Sequence, residues 1–300
     1  MVPNIRIPKS LEGLVYPYPN LKDYTLDENE LERTCPLDLG RYYVDPQYDL
    51  GTLDGLPLEV LDDVLVQLDL RSLMDFRAVN QRAMRAVDAI PQFRTIVKHS
   101  ASSLRGILSI EAASDSTCQD LYQAISSPRC ELCNDFGGYI YLLNCSRVCF
   151  LCFSENDRYL PLSPFEVTYN YGLDRNHIVG LRRMRSIPGR YSPNEKDCPT
   201  RLLLVDRESA RGAGIALHGS ALAMEQHRFM AIVRAPYVSL PDNPAEWGFH
   251  CAGCERKYRS RPLHWRRKYA SDTFDLHIRQ CGSVINGEHC LQHRDSESRE

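Results

Sequence analysis

The residues of this chain with the clearest chemical potential are cysteines. The stretch CELCNDFGGYIYLLNCSRVCFLC (residues 130–152) holds five of them, and Cys251, Cys254, Cys281 and Cys290 form a second group. Clustered thiols are either disulfide partners or metal ligands, and the redox compartment decides between the two. The opening residues, MVPNIRIPKSLEGL, lack an apolar core followed by small residues, so no secretory signal is expected. GAGIALHGSALAM is too short and too broken to span a bilayer. The expectation is a soluble intracellular chain, in the cytoplasm or nucleus, whose clustered cysteines hold metal.

In the first group Cys130/Cys133 and Cys149/Cys152 are each C-x2-C, with fifteen residues between the pairs. Two tight knuckles that each aim two thiolates at one ion make a four-thiolate zinc site. Cys145 stands outside the second knuckle and is the spare, and Gly137 and Gly138 are read as relaxing the backbone between the pairs. A closed site of this kind has no open position for water, so it stabilises and does not catalyse. A RING cross-brace would need further ligand pairs close behind. The next C-x2-C, Cys251/Cys254, comes nearly a hundred residues later.

Cys251 and Cys254 are followed, after twenty-two residues, by His277 and Cys281. A histidine and a cysteine at i and i+4 share one helix face, so knuckle plus helix would form a second structural zinc site. His289, Cys290 and His293 are rival ligands, and His264 reads as an isolated histidine. The scattered Cys35, Cys118 and Cys198 read as small buried hydrophobes. ERKYRSRPLHWRRKY (255–269) carries seven Lys/Arg and three aromatics, the one nucleic-acid-like patch in the chain. The formal net charge of −3 argues against a general attraction to nucleic acid or anionic membrane.

These candidates need elements to hold them. An apolar fraction of 43% and a charged fraction of 25% fit a globular chain of one large domain or a few small ones. Residues 1–52 are an arm rich in Tyr and Pro, without helical periodicity. From Leu56 the pattern turns helical, with Leu58, Leu61, Leu65 and Leu68 on one stripe. Pro57 suits a first turn, Asp69 or Leu70 breaks the helix, Asn80 suits an N-cap and Pro91 ends the run. Two short helices are expected within 100–127, a buried strand at 201–206 and a helix at 220–233. The fold class is α+β. The segments are an arm (1–52), a three-helix unit (53–99), a zinc-stapled irregular body (100–248), a C-terminal zinc-binding segment (249–293) and a tail (294–300).

LPLEVLDDVLVQLDLRSLMDFRAVNQRAMRAV (56–87) resembles an F-box, through Leu56, Pro57, Val60, Leu61, Val64, Leu68, Leu73, Phe76, Arg77 and Val79. The wider order also resembles a group of fungal F-box proteins. That order is F-box, a helix like DLYQAI, C-x2-C, FGGYIYLL, C-x2-C, a stretch like LRRMRSIPGRYSP and a C-terminal C-x2-C with FDLHIRQC. Where typical members have a second lysine or arginine after the valine, this chain has Asn80-Gln81. The resemblance implies a substrate receptor, docked on a Skp-family adaptor of a cullin–RING ubiquitin ligase and recruiting a protein for ubiquitination. The adaptor face would comprise Leu56, Pro57, Val60, Leu61, Val64, Leu68, Leu73, Phe76 and Val79. The other reading of the residues is a zinc-dependent nucleic-acid-binding or regulatory protein working through 251–293. A third is that 56–99 are simply the first core helices of one domain.

No enzyme signature competes. G-x-S-x-G, the P-loop and H-E-x-x-H are absent, and Asp206, His218 and Ser220 have no spacing that demands a triad.

Overall fold

The computed structural model describes residues 9–16, 23–37, 45–192, 195–217, 228–240, 244–255 and 263–290. The N-terminal arm is more ordered than its composition suggests. It contributes a short strand, β1 (Val15–Tyr16), and a helix, α1 (Glu28–Thr34). Asp27 caps α1 by accepting from the Glu30 amide at 3.0 Å. A seven-residue helix is too short to announce itself by periodicity; its buried Leu31 anchors it to the main core.

The periodic stretch then gives α2 (Leu58–Gln67), α3 (Leu70–Arg77) and α4 (Gln81–Ala89). Their boundaries follow the capping residues. Pro57 precedes α2, Asp69 accepts from the Ser72 amide at 2.9 Å, and Asn80 accepts from the Ala83 amide at 2.8 Å. A half-buried ion pair, Arg77 to Asp88 at 2.7 Å, ties α3 to α4. Pro91 does not end the helical run. It starts α5 (Pro91–Ser109), because a missing N–H costs nothing in a first turn. This helix bends at Ser100 and occupies much of the stretch expected to hold two short helices. The second of those is α6 (Cys118–Ser126), closed by a Thr117/Asp120 capping box.

The body continues with the hairpin β2 (Tyr139–Tyr141) and β3 (Ser146–Val148), then α7 (Phe150–Glu155). Next come α8 (Pro164–Tyr171), α9 (Arg175–Val179), the strands β4 (Arg183–Arg185), β5 (Gly189–Tyr191), β6 (Lys196–Cys198) and β7 (Leu203–Val205), and α10 (Arg207–Leu217). The strand expected at 201–206 is β7, antiparallel to β4. Of the helix expected at 220–233, residues 220–227 lie outside the described residues. Its end is a 3-10 turn leading into β8 (Ile232–Arg234), which pairs with β2, so that the sheet order is β3-β2-β8. Two buried β-branched residues, Ile232 and Val233, suit this sheet position better than a helix.

The C-terminal segment holds β9 (Phe249–Cys251), α11 (Ala252–Glu255), β10 (Lys268–Tyr269), α12 (Ser271–Cys281) and the hairpin β11 (Val284–Ile285) and β12 (Glu288–His289). Strand β1 pairs with β9, Val15 opposite Cys251, so the arm closes a three-stranded sheet β1-β9-β10 around the second cysteine group.

The fold is thus α+β, with three apolar clusters among the described residues. The largest runs without a break from Leu26 and Leu31, through Leu61, Leu65, Leu70 and Leu73 and the helices α5 and α6, to the first cysteine group and β8. Residues 53–99 share this core with the body, and the Leu70 amide donates to the Ser116 carbonyl at 2.8 Å. A smaller cluster gathers Leu11, Val15, Phe249, Cys251, Cys254, Tyr269, Phe274 and Val284, and a third lies under α8. No helix among the described residues is long and apolar enough to cross a membrane.

Candidate metal centres

The first centre is built from a loop and a helix N-terminus. After Cys130 the chain turns through Asn134 in the left-handed region (φ 65°), whose amide donates back to the Cys130 carbonyl at 3.0 Å. The second knuckle opens α7, where Cys149 takes the N-cap position and its Sγ accepts from the Cys152 amide at 3.4 Å. The two knuckles are brought together by the β2–β3 hairpin. Gly137 serves this packing by its lack of a Cβ. A side chain there would lie 3.3 Å from the Cys130 and Val148 amide nitrogens and 2.6 Å from Arg147 Cγ. Close approach, not backbone freedom, is therefore the reason for that glycine.

Arg147 locks the hairpin from inside. It is buried, and its guanidinium donates to the carbonyls of Gly137, of Pro236 (2.6 Å), of Ala235 (3.0 Å) and of Ala124 (3.3 Å). Burial brings its pKa down to about 9, still above neutrality.

The Sγ atoms of Cys130, Cys133, Cys149 and Cys152 all lie within 4.8 Å of one another, and Cys133 Sγ is 3.6 Å from Cys149 Sγ. A tetrahedral zinc with Zn–S near ~2.3 Å has S···S edges of roughly 3.8 Å, a spacing that the Cys133–Cys149 edge matches. Hydrogen bonds from Cys133 and Cys149 hold the Cys130 pKa well below the ordinary thiol range, and the same shared bonds raise the thiols of Cys133 and Cys149. Cys145 is outside this set. It sits in the β2–β3 turn with φ 55°, and burial pushes its thiol up to about 11. Cys118 and Cys198 are buried, as expected, and Cys35 is half-buried.

The second centre corrects the ligand set read from spacing. Its four donors are Cys251, Cys254, His277 and His289, all buried and all within 4.8 Å of one another. Cys281 is not among them. It is the last residue of α12, half-exposed, and the chain leaves the helix at Gly282 (φ 88°). The β11–β12 hairpin then returns His289 to the cluster. Its turn is Asn286-Gly287, both at positive φ (51° and 78°), as a two-residue type I′ turn requires. That dipeptide is the sequence signal that identifies His289. Of the other rivals, Cys290 is exposed and His293 lies outside the described residues.

Sulfur–nitrogen distances here are 3.3 Å (Cys251 to His289), 3.4 Å (Cys254 to His289) and 3.5 Å (Cys254 to His277). A tetrahedron with Zn–S near ~2.3 Å and Zn–N near ~2.0 Å has S···N edges of roughly 3.5 Å. Both imidazoles are oriented through their other nitrogen. His289 Nδ1 lies 2.7 Å from the Gly282 carbonyl, and His277 Nδ1 lies 3.0 Å from the Tyr269 hydroxyl, leaving each Nε2 for the cluster. A hydrogen bond with Cys254 outweighs burial and lowers the Cys251 pKa to about 4. His264 is not isolated: its Nε2 is 3.3 Å from Cys254 Sγ.

Of the basic patch, residues 256–262 lie outside the described residues. Arg266 pairs with buried Asp23 and lies 3.5 Å from the centre of the Phe150 ring. Arg267 pairs with Asp135, and Lys268 Nζ donates to the Trp247 carbonyl at 3.3 Å. These three cations strap the C-terminal segment onto the first centre and face internal partners. Asp206 of the paper triad is the cap of α10, accepting from Tyr141 Oη at 2.8 Å and the Ser209 amide at 2.9 Å, while His218 and Ser220 lie outside the described residues.

The F-box-like positions divide into groups. Leu61 and Leu73 are 3% and 0% exposed and belong to the core, so they are not part of an open adaptor face. Leu56, Leu68 and Phe76 are partly buried against the same core. Pro57, Val60, Val64 and Val79 are exposed, as is Leu58 at 66%. The chain matches no family model, no curated protein and no solved structure.

Proposed function

We propose that the chain is a non-catalytic substrate receptor: residues 53–99 act as an F-box that docks on a Skp-family adaptor of a cullin–RING ubiquitin ligase, and the body, held by two structural zinc ions, presents a protein for ubiquitination. The observation that carries this reading is the division of the α2 stripe. Leu61 and Leu65 on one side are 3% and 2% exposed, while Val60 and Val64, a neighbouring i, i+4 pair, are 44% and 46% exposed beside Leu58 at 66%. A solvent-facing helix side would ordinarily carry polar residues at such positions, and a row of open aliphatics suits an interaction surface. Zinc is the ion best suited to S4 and S2N2 donor sets in a closed tetrahedral arrangement. The inward-facing Arg266, Arg267 and Lys268 leave the nucleic-acid reading without support from the described part of the basic patch.

Co-expression with a Skp-family adaptor followed by affinity capture tests the proposal. Val60→Asp with Val64→Asp leaves the buried leucines untouched. Completing the burial of two half-exposed valines is worth about 2 kcal/mol, so the double variant should weaken adaptor binding by roughly thirtyfold or more. A wild type that captures no adaptor overturns the F-box assignment.

A further inference from the structure

Cys254 Sγ has a histidine more than a four-ligand centre can use. Besides His277 and His289, the Nε2 of His264 stands 3.3 Å from it. Yet His264 is not one of the four residues whose donor atoms all lie within 4.8 Å of one another. It therefore approaches the sulfur from outside the cluster, at a distance suited to an N–H···S hydrogen bond. We infer that His264 is a positioning residue of the second centre: its Nε2–H donates to the Cys254 thiolate, fixing the sulfur's orientation and offsetting its charge when a metal is bound.

The inference rests on the metal reading of Cys251, Cys254, His277 and His289. Two thiolates and one dication leave the ligand set without net charge, but each sulfur keeps lone pairs directed away from the ion. In a buried site those lone pairs gain from a donor, and Cys254, 2% exposed, takes one from His264. His264 also opens the 3-10 turn His264–Arg266, which continues into the strap formed by Arg266, Arg267 and Lys268. The hydrogen bond thus joins the second centre's sulfur to the segment that lies across the first centre.

The test compares zinc affinities of the full chain, wild type, His264→Ala and His264→Gln, by competition with a chromogenic chelator, with cobalt(II) spectra as a second readout. Partners of this kind typically change metal affinity by ~10–100-fold. His264→Ala should bind two zinc ions, the second centre weakened within that range and its sulfur-to-cobalt charge-transfer band shifted. His264→Gln keeps an N–H donor and should recover much of the loss. The first centre, in the same molecule, reports that the variant is folded. Equal affinity and an unchanged spectrum in His264→Ala would overturn the inference alone. Loss of one zinc in both variants would make His264 a ligand and overturn it differently. A wild type that takes up no ion at the second centre would overturn the metal reading together with this inference.

Discussion

Cysteine and histidine side chains divide here into those that face a shared point and those that do not, and sequence spacing separates them only in part. For the first centre local geometry suffices, since each C-x2-C knuckle is a self-contained turn and the fifth cysteine, at positive φ in the hairpin turn, is outside the set of four. For the second, the i, i+4 relation of His277 and Cys281 holds along α12, but the helix stops at Cys281 and the fourth donor arrives from the following hairpin. Spacing suggests a local pair where the chain makes a tertiary return, and Asn286-Gly287 is the sequence mark of that return. Elemental analysis checks the assignment variant by variant. Cys149→Ser and His289→Ala should each bring the content to one zinc per chain, while Cys145→Ser and Cys281→Ser should each retain two. One zinc in Cys281→Ser together with two in His289→Ala would restore the ligand set suggested by spacing.

Among the elements, the helices were legible where caps and periodicity agree, as at Asn80. They were illegible where one residue closes one helix and opens the next. Ile90 is at once the last cap of α4 and the first of α5, so Pro91 reads equally as a stop or a start. The short strands β2, β3 and β8 owe their place to packing around Arg147, a residue whose role no periodicity reveals. Arg147→Met keeps the apolar stem but strips donors from buried carbonyls. Leaving even one or two of these unsatisfied costs about 3 kcal/mol. The expected outcome is an unfolding free energy lower by at least that amount in chemical denaturation of the zinc-loaded chain. A change under ~1 kcal/mol would show that the carbonyls find other donors and that Arg147 is not the lock of the hairpin.

On the scale of the whole molecule, the three-helix unit is not an appendage. Its inner leucines complete the core that also surrounds the first centre, while Leu58, Val60 and Val64 stay exposed on its outer side. An F-box fused in this way would present its substrate-binding body at a fixed orientation to the ligase, since no linker separates α4 from α5. Adaptor docking and the two structural ions can be weighed in one experiment. Native mass spectrometry of the chain co-expressed with a Skp-family adaptor reads partner and metal together. The account predicts one adaptor and two zinc ions on each copy of the chain. A chain that carries two zinc ions and never an adaptor would contradict the receptor assignment, and an adaptor complex without zinc would contradict the metal centres.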